Sequence, residues 1–482
     1  MIKAAQGLLF CLLLTVSAPC HADQNCFLVV AGRDATADGS VIIGHNEDNG
    51  IDMVFRMRRV ERMVHQPGEF VELAGGGLLA QADTTYGYLI FEMPGKPFSH
   101  SLLNEHAVAV VSNSCPSRED KPELTEGGIG PMLRYLVAER ARTARQGVKL
   151  VGSLVERFGY SSSGRTLTIC DSREAWQVAL VNGKLWCARR VPDDDVAVLA
   201  NSYGIHEIDM RDTVNFLGSK GVIEYAKRRG WHNSLKHRAF DFERAYARPD
   251  RVLDPAQRNR QWSGYRNISQ MGISPPEEGT PMPFSVKPRQ KLKVEDVFAI
   301  LRDHYEKSPY DIGRANPHGP AEEIGARTIC CGSTNHGDVF QLRSNLPVEI
   351  GALWWLAYWR PCSSPFLPLY FGVAEVPEQF DFQAAPGVYS QPENALQPED
   401  DRAIRVFRDL TIYVDRDYWK KISEVREAWK EFERVSFAIQ PVIEQQALSN
   451  WKRDRKAVIE ALSRYCQGTA AGAMQKARGM IE

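Results

Sequence analysis

An excess of charge of either sign is missing from this chain: 59 Lys and Arg stand against 60 Asp and Glu across 482 residues, a net charge of −1. Acidic and basic residues are interspersed, so nothing here draws the protein to nucleic acid or an anionic membrane surface. Membrane-spanning apolar runs are missing too. The one sustained run, Gly7 to Ala18, is too short to cross a bilayer comfortably. No internal repeat is visible. Metal-binding spacings are absent: Cys330-Cys331 is an adjacent pair without histidine or cysteine partners at zinc-finger spacing. That pair reads as core strand, and neither a metal site nor a cofactor is expected. What is present is the composition of a soluble globular enzyme, long enough for one large domain or two medium ones.

The N-terminus reads as an export signal. Met1-Ile2-Lys3 is the charged region, Gly7 to Ala18 the apolar region, and Cys20-His21-Ala22 a small-residue cleavage site. A lipid anchor at Cys20 is the alternative, which Pro19 disfavours. Cleavage after Ala22 leaves Asp23-Gln24-Asn25 as a short propeptide ahead of Cys26. The mature protein is therefore expected to be periplasmic or secreted. Eight cysteines lie beyond the signal. Export permits disulfides, and Cys170 with Cys187 brackets a hairpin, either as a bridge or as two separate buried thiols.

Cys26 opens the hairpin CFLVVAGRDATADGSVIIGHNEDNG. If the bond after Asn25 is cut, Cys26 owns both a thiol, titrating near about 8.5, and an α-amine, near about 7.7–8. The amine can take the thiol proton at neutral pH, which makes one residue both nucleophile and base. Cys26 to Ala31 and Val41 to Gly44 are apolar, β-branched runs flanking a turn-rich stretch. A turn near Thr36 sets Cys26 opposite Asn46, within two residues, and brings His45, Asn46, Glu47 and Asp48 beside it.

Further strands are expected at Met53–Val60, Thr85–Phe91, Ala107–Asn113, Thr166–Asp171, Trp176–Val181, Leu185–Arg190 and Val196–Ala200. Asn182-Gly183 marks a tight hairpin. One long amphipathic helix is expected from Leu133 to Val155, stopped by Gly159. Helices are also expected at Val222–Arg229 and Val294–Tyr305, and strands at Thr328–Cys331, Asp338–Leu342 and Ala352–Trp359. From about Tyr418 the chain reads as helices, with Trp419, Ile422, Val425, Trp429 and Phe432 on one stripe. Long strands with few helices between them suggest an α+β fold of two antiparallel sheets face to face, helices outside. The catalytic domain is expected over 26–410 and a helical extension, a candidate dimer contact, over 411–482.

The opening hairpin closely resembles that of the cysteine dipeptidases of the N-terminal nucleophile (Ntn) hydrolases, relatives of the secernins and, more distantly, of penicillin V acylase and bile salt hydrolase. The likeness continues through Asn104-Glu105-His106, Glu139 to Arg145, DSREAW (Asp171 to Trp176), the segment Asn201 to Asp209, HYEKSPYD (His304 to Asp311) and Val339 to Arg343. Each motif is weak; their order and spacing are specific. The resemblance implies a four-layer αββα sandwich. It also implies that Cys26 is the nucleophile, that Asp48 holds its amine or thiol, and that Asn201, with Asn46 as a second candidate, stabilises the oxyanion. Arg327 and Arg343 are rival candidates for a late-chain arginine near the nucleophile. His45 departs from the pattern, since many relatives carry arginine or lysine there; an imidazole is mostly neutral at pH 7 and suggests a pH-sensitive substrate site.

These readings converge on an exported cysteine hydrolase of short peptides, dipeptides first. The alternatives are an N-acyl amide hydrolase of the penicillin V or bile-salt type, and a non-catalytic secernin-like binding protein.

Overall fold

The computed structural model describes residues 26–49, 54–94, 101–233, 235, 239–269, 277, 280–382 and 401–482. The signal peptide, the propeptide and the anchor alternative at Cys20 lie outside them. In chain order the main strands are β1 (Phe27–Ala31), β2 (Val41–Asp48), β3 (Arg56–Val60), β4 (Tyr88–Glu92), β5 (Ser101–Asn104), β6 (Ala109–Ser114), β7 (Tyr160–Cys170), β8 (Ala175–Gly183), β9 (Trp186–Val191), β10 (Val196–Leu199), β11 (Phe216–Gly218), β12 (Thr334–Leu342), β13 (Ala352–Tyr358) and β14 (Leu367–Tyr370). The helices that build the layers are α1 (Leu133–Arg140), α2 (Ala144–Phe158), α3 (Pro255–Ile268), α4 (Val294–Leu301), α5 (Ala403–Asp415), α6 (Tyr418–Trp451) and α7 (Arg455–Ile481).

One six-stranded sheet runs β10-β1-β2-β12-β13-β14. An eight-stranded sheet runs β11-β9-β8-β7-β6-β5-β4-β3. Their inner faces meet: Ser101 on β5 donates to Asp338 on β12, and the rings of Phe91 on β4 and His336 on β12 pack edge-on at 4.7 Å. The outer face of the eight-stranded sheet buries Ile90, Leu167 and Val178 against Leu136, Val148 and Val155 of α1 and α2. The outer face of the six-stranded sheet carries α3 and α4. A Cβ on Gly44 of β2 would sit 2.4 Å from Val297 of α4, so only glycine lets that helix lie so close. Because β1 and β2 are covered on both faces, they need apolar residues at successive positions rather than alternation. This is the αββα sandwich.

The opening hairpin closes where expected, with Ala31 paired to Ile42 and Phe27 to Asn46. Gly183, at φ 96°, turns β8 into β9. The single helix expected over 133–155 is instead two. Ala141 is extended, at φ −98° and ψ 131°, and Thr143 caps α2 by accepting a hydrogen bond from the Gln146 N–H. The cap interrupts a helix that the apolar periodicity alone would continue. Cys330 and Cys331 are not in a strand; they sit in the buried turn before β12. Cys170 and Cys187 do not bridge. They lie two strands apart on β7 and β9, where Cys170 faces Ala175 and Cys187 faces Ala179.

The helical C-terminal region starts at Ala403, ahead of the boundary expected at 411. Its core residues, from Phe407 and Trp429 to Leu462, join the same buried cluster as β1 and β2. Trp419 leaves the expected stripe and is exposed, whereas Ile422, Val425 and Trp429 are buried. No described helix is long and apolar enough to cross a membrane.

Candidate active site

Cys26 stands just before β1, at the end of the sheet where β2 ends in Glu47-Asp48 and β12 begins. Continuing the β1–β2 register by one residue sets Cys26 across from Glu47. The Cys26 Sγ is accordingly 3.3 Å from Glu47 Oε1. Cys26 is 1% exposed. Its thiol is pushed well up by burial and by the carboxylates of Glu47 and Asp48, against a backbone hydrogen bond from Asp48. The thiol is therefore a donor to Glu47 at neutral pH.

The two carboxylates differ. Burial raises Glu47, but His45, His336, Arg134 and Arg165 together overcome this and hold it below its ordinary range. Asn49 also donates to Glu47 Oε1 at 2.8 Å. Asp48 goes the other way: burial outweighs Arg327 and Arg260 and lifts its carboxyl. It accepts a hydrogen bond from Thr334 Oγ1 at 2.7 Å and lies 3.5 Å from Arg327. Glu47, named in the sequence only as a neighbour of Cys26, is thus the side chain on the thiol, and Asp48 approaches it through the backbone.

Asn201, two residues beyond the end of β10, is brought to the same place. Its Nδ2 donates to the Ser114 carbonyl at 2.9 Å, and its Oδ1 accepts from Arg260 Nη2 at 3.0 Å. Arg260 also reaches the Cys26 carbonyl at 3.3 Å and Gln257 at 2.6 Å. It is 0% exposed. Sequence reasoning missed Arg260 because it missed α3. The local signal was there: Asp254 caps the helix and Pro255 occupies its first position.

Of the other candidates, Arg327 is at the site, through Asp48, and Arg343 is not. Arg343 follows the far end of β12, bound to Glu444 at 2.6 Å. Asn46 faces the helix layer and donates to the carbonyls of Leu301 and Ile329 at 2.9 and 3.2 Å, so its amide is committed away from the nucleophile. His45 is not at a solvent-facing substrate surface. It is fully buried between the sheets, 3.2 Å from the Ser112 carbonyl, and burial lowers its pKa against the raising pull of Glu47 and Asp338. Asn113 and Gln177 are buried amides that face inward with no hydrogen-bond partner among the described residues. Asn113 on β6 alternates with Val111 and Ala109 towards the other sheet.

A buried thiol with an anionic partner, a fixed amide and a buried guanidinium suits nucleophilic attack on a carbonyl. The chain is 27% identical over 366 residues to a probable dipeptidase of Latilactobacillus sakei, covering 74% of this chain and 76% of that protein. It is 27% identical over 357 residues to a probable dipeptidase of Salmonella dublin, covering 72% and 81%. It is 24% identical over 371 residues to dipeptidase A of Lactobacillus helveticus, covering 73% and 77%. Among solved structures, a mutant conjugated bile acid hydrolase from Clostridium perfringens matches at 11% identity and a TM-score of 0.33, over 72% of this chain and 92% of that one. The model of peptidase family C69 matches residues 25–430, and the chain belongs to that family.

Proposed function

We propose that this chain is an exported cysteine-type dipeptidase whose nucleophile is the thiol of Cys26 and whose base is the α-amine of the same residue. The observation that carries the reading is the environment of the thiol. Burial and two carboxylates hold it protonated, so attack needs a base stronger than Glu47 or His45, the two candidates beside the sulfur, both of which are held below their ordinary values. An α-amine freed by cleavage after Asn25 would be that base. Glu47 and Asp48 then change role: they favour the ammonium that forms when the amine takes the thiol proton.

In this scheme Cys26 Sγ bonds to the scissile carbonyl carbon while its proton moves to the amine. Asn201, oriented by Arg260, and Asn113 on the facing strand stabilise the oxyanion. The C–N bond breaks as the ammonium returns a proton to the leaving amine. Water, deprotonated by the amine, then releases the acyl group from sulfur. The same thiol attacking the Asn25 carbonyl would account for removal of the propeptide. The dipeptidase names of the relatives support short peptides as substrates.

Intact mass of the exported protein tests the reading together with a parallel screen of dipeptides and N-acyl amides. A chain starting at Cys26 that cleaves dipeptides is expected, with Cys26→Ala inactive. A chain retaining Asn25 yet fully active would remove the amine mechanism. Turnover of acyl amides alone would replace the dipeptidase reading.

A further inference from the structure

Away from Cys26, four buried side chains that the proposed chemistry does not use converge on one point. His304, His318, Cys330 and Cys362 each present a ligand atom, and these atoms all lie within 4.8 Å of one another. The topology explains the meeting. β12 and β13 are antiparallel neighbours, with His336 paired to Tyr358. The chain entering β12, which holds Cys330, and the chain leaving β13, which holds Cys362, therefore emerge at the same end. His304 follows the C-terminus of α4, and His318 lies in the long connection between them.

The histidines are oriented as metal ligands are. His318 turns Nδ1 to the Asp415 carboxylate, and its Nε2 lies 3.1 Å from Cys362 Sγ. His304 Nδ1 lies 3.3 Å from the Tyr418 hydroxyl and 3.4 Å from Glu306, two acceptors for its proton. Arg426, which can only donate, lies 3.1 Å from the same nitrogen; with Nδ1 protonated its N–H groups serve Glu306 and the Tyr418 hydroxyl instead. His304 Nε2 has no hydrogen-bond partner among the described residues, although the residue is only 2% exposed. A carboxylate on the outer nitrogen, leaving the inner lone pair free, is the arrangement that fixes a metal-binding imidazole.

We propose that His304, His318, Cys330 and Cys362 form a structural Cys2His2 zinc site. Tetrahedral zinc sets such sulfur and nitrogen ligands about 3.3–3.8 Å apart, so the cluster needs only a small contraction. Two thiolates and a divalent ion sum to zero charge, which suits burial. Four protein ligands leave no open position, so the role is structural rather than catalytic. A groove of about 850 Å³ beside α3, α4 and α6 has Cys362 in its wall and gives the ion a way in. The ion would tie α4, the turn before β12 and the turn after β13 into one unit. The turn before β12 carries Arg327 and Cys331, which together with Thr334 at the start of β12 touch Asp48. Asp415 and Tyr418, which support the histidines, belong to or adjoin α5 and α6, so the site also fastens the C-terminal helices.

The test uses the full-length exported protein, purified without chelators and assayed for metal by mass spectrometry. One zinc per chain is expected, retained in Cys26→Ala and lost in the double variant C330S/C362S. Cobalt(II) added to the chelator-stripped wild-type protein should give the visible bands of a tetrahedral site with thiolate ligands, a readout that does not depend on the double variant folding. Zinc restored to the stripped protein should raise its melting temperature. Three results would overturn the proposal: a Cys330–Cys362 disulfide in the intact mass, no zinc and no cobalt bands, or metal that disappears in Cys26→Ala and persists in C330S/C362S.

Discussion

Asn201 and Arg260 illustrate how single residues at the site depend on one another. Arg260 holds the Asn201 carbonyl oxygen at 3.0 Å, which turns the amide nitrogen inward to Ser114. Asn201→Ala should lower kcat by roughly a hundred- to thousandfold with a smaller change in KM, the signature of a lost oxyanion donor. A change confined to KM, measured on the same dipeptide, would assign Asn201 to substrate binding. Glu243 gives a pH prediction. Burial lifts its carboxyl from 4.5 to about 7, against His206 and a hydrogen bond from Ser202. A raised folded-state pKa contributes stability that is full below 4.5 and is lost as pH rises through 7. Glu243→Gln, neutral throughout, should flatten the fall in melting temperature across that window. An unchanged slope would locate the dependence elsewhere, for instance at His206, which is also raised.

Elements are held in place by close contacts rather than by propensity. At Gly44 a methyl group would meet Val297 at 2.4 Å and Val29 at 2.9 Å. Gly44→Ala should therefore push α4 off β2 and destabilise the protein by about 1–3 kcal/mol, read as a lower urea midpoint at unchanged slope. Because α4 ends at Leu301, whose carbonyl holds Asn46, the loss should extend to activity. Thr143 works by a different device, a side-chain cap on α2. Thr143→Ala should cost about 1 kcal/mol with activity untouched, since α2 lies on the far side of the eight-stranded sheet. An activity loss there would mean that α2 communicates with the site.

For the whole molecule, the C-terminal helices are a layer of the fold rather than an attachment to it. Glu433 of α6 binds Arg302 at 2.6 and 3.0 Å and accepts from the Phe366 N–H at 2.8 Å, in an almost buried position. Glu433→Ala leaves the Arg302 guanidinium without its carboxylate, holding only the Pro361 and Ser364 carbonyls, and the Phe366 amide without its acceptor, which should cost roughly 3 kcal/mol. Sheet and helix signals should still unfold in one transition, because both belong to a single core. Two separated transitions, followed by circular dichroism and tryptophan fluorescence, would mark the helices as an independent domain.

The sequence by itself determined most of the long strands, set the opening hairpin within one residue of its observed register, and singled out Cys26, Asp48 and Asn201. Those depend on local signals: apolar runs, turn residues and the order of short motifs. It could not say that Glu47 rather than Asp48 holds the thiol, because a shift of one residue along a strand reverses the face it serves. Nor did it separate Arg327 from Arg343, since which of two arginines comes near a carboxylate is decided by the path of β12 relative to β2. Arg260 stayed hidden for the same reason, on a helix far along the chain whose place beside Cys26 is set by packing on β1 and β10. The His304, His318, Cys330 and Cys362 cluster is the clearest case. Its members are spread over residues 304–362 with no recognisable spacing, and only the antiparallel pairing of β12 with β13 and the end of α4 bring them together.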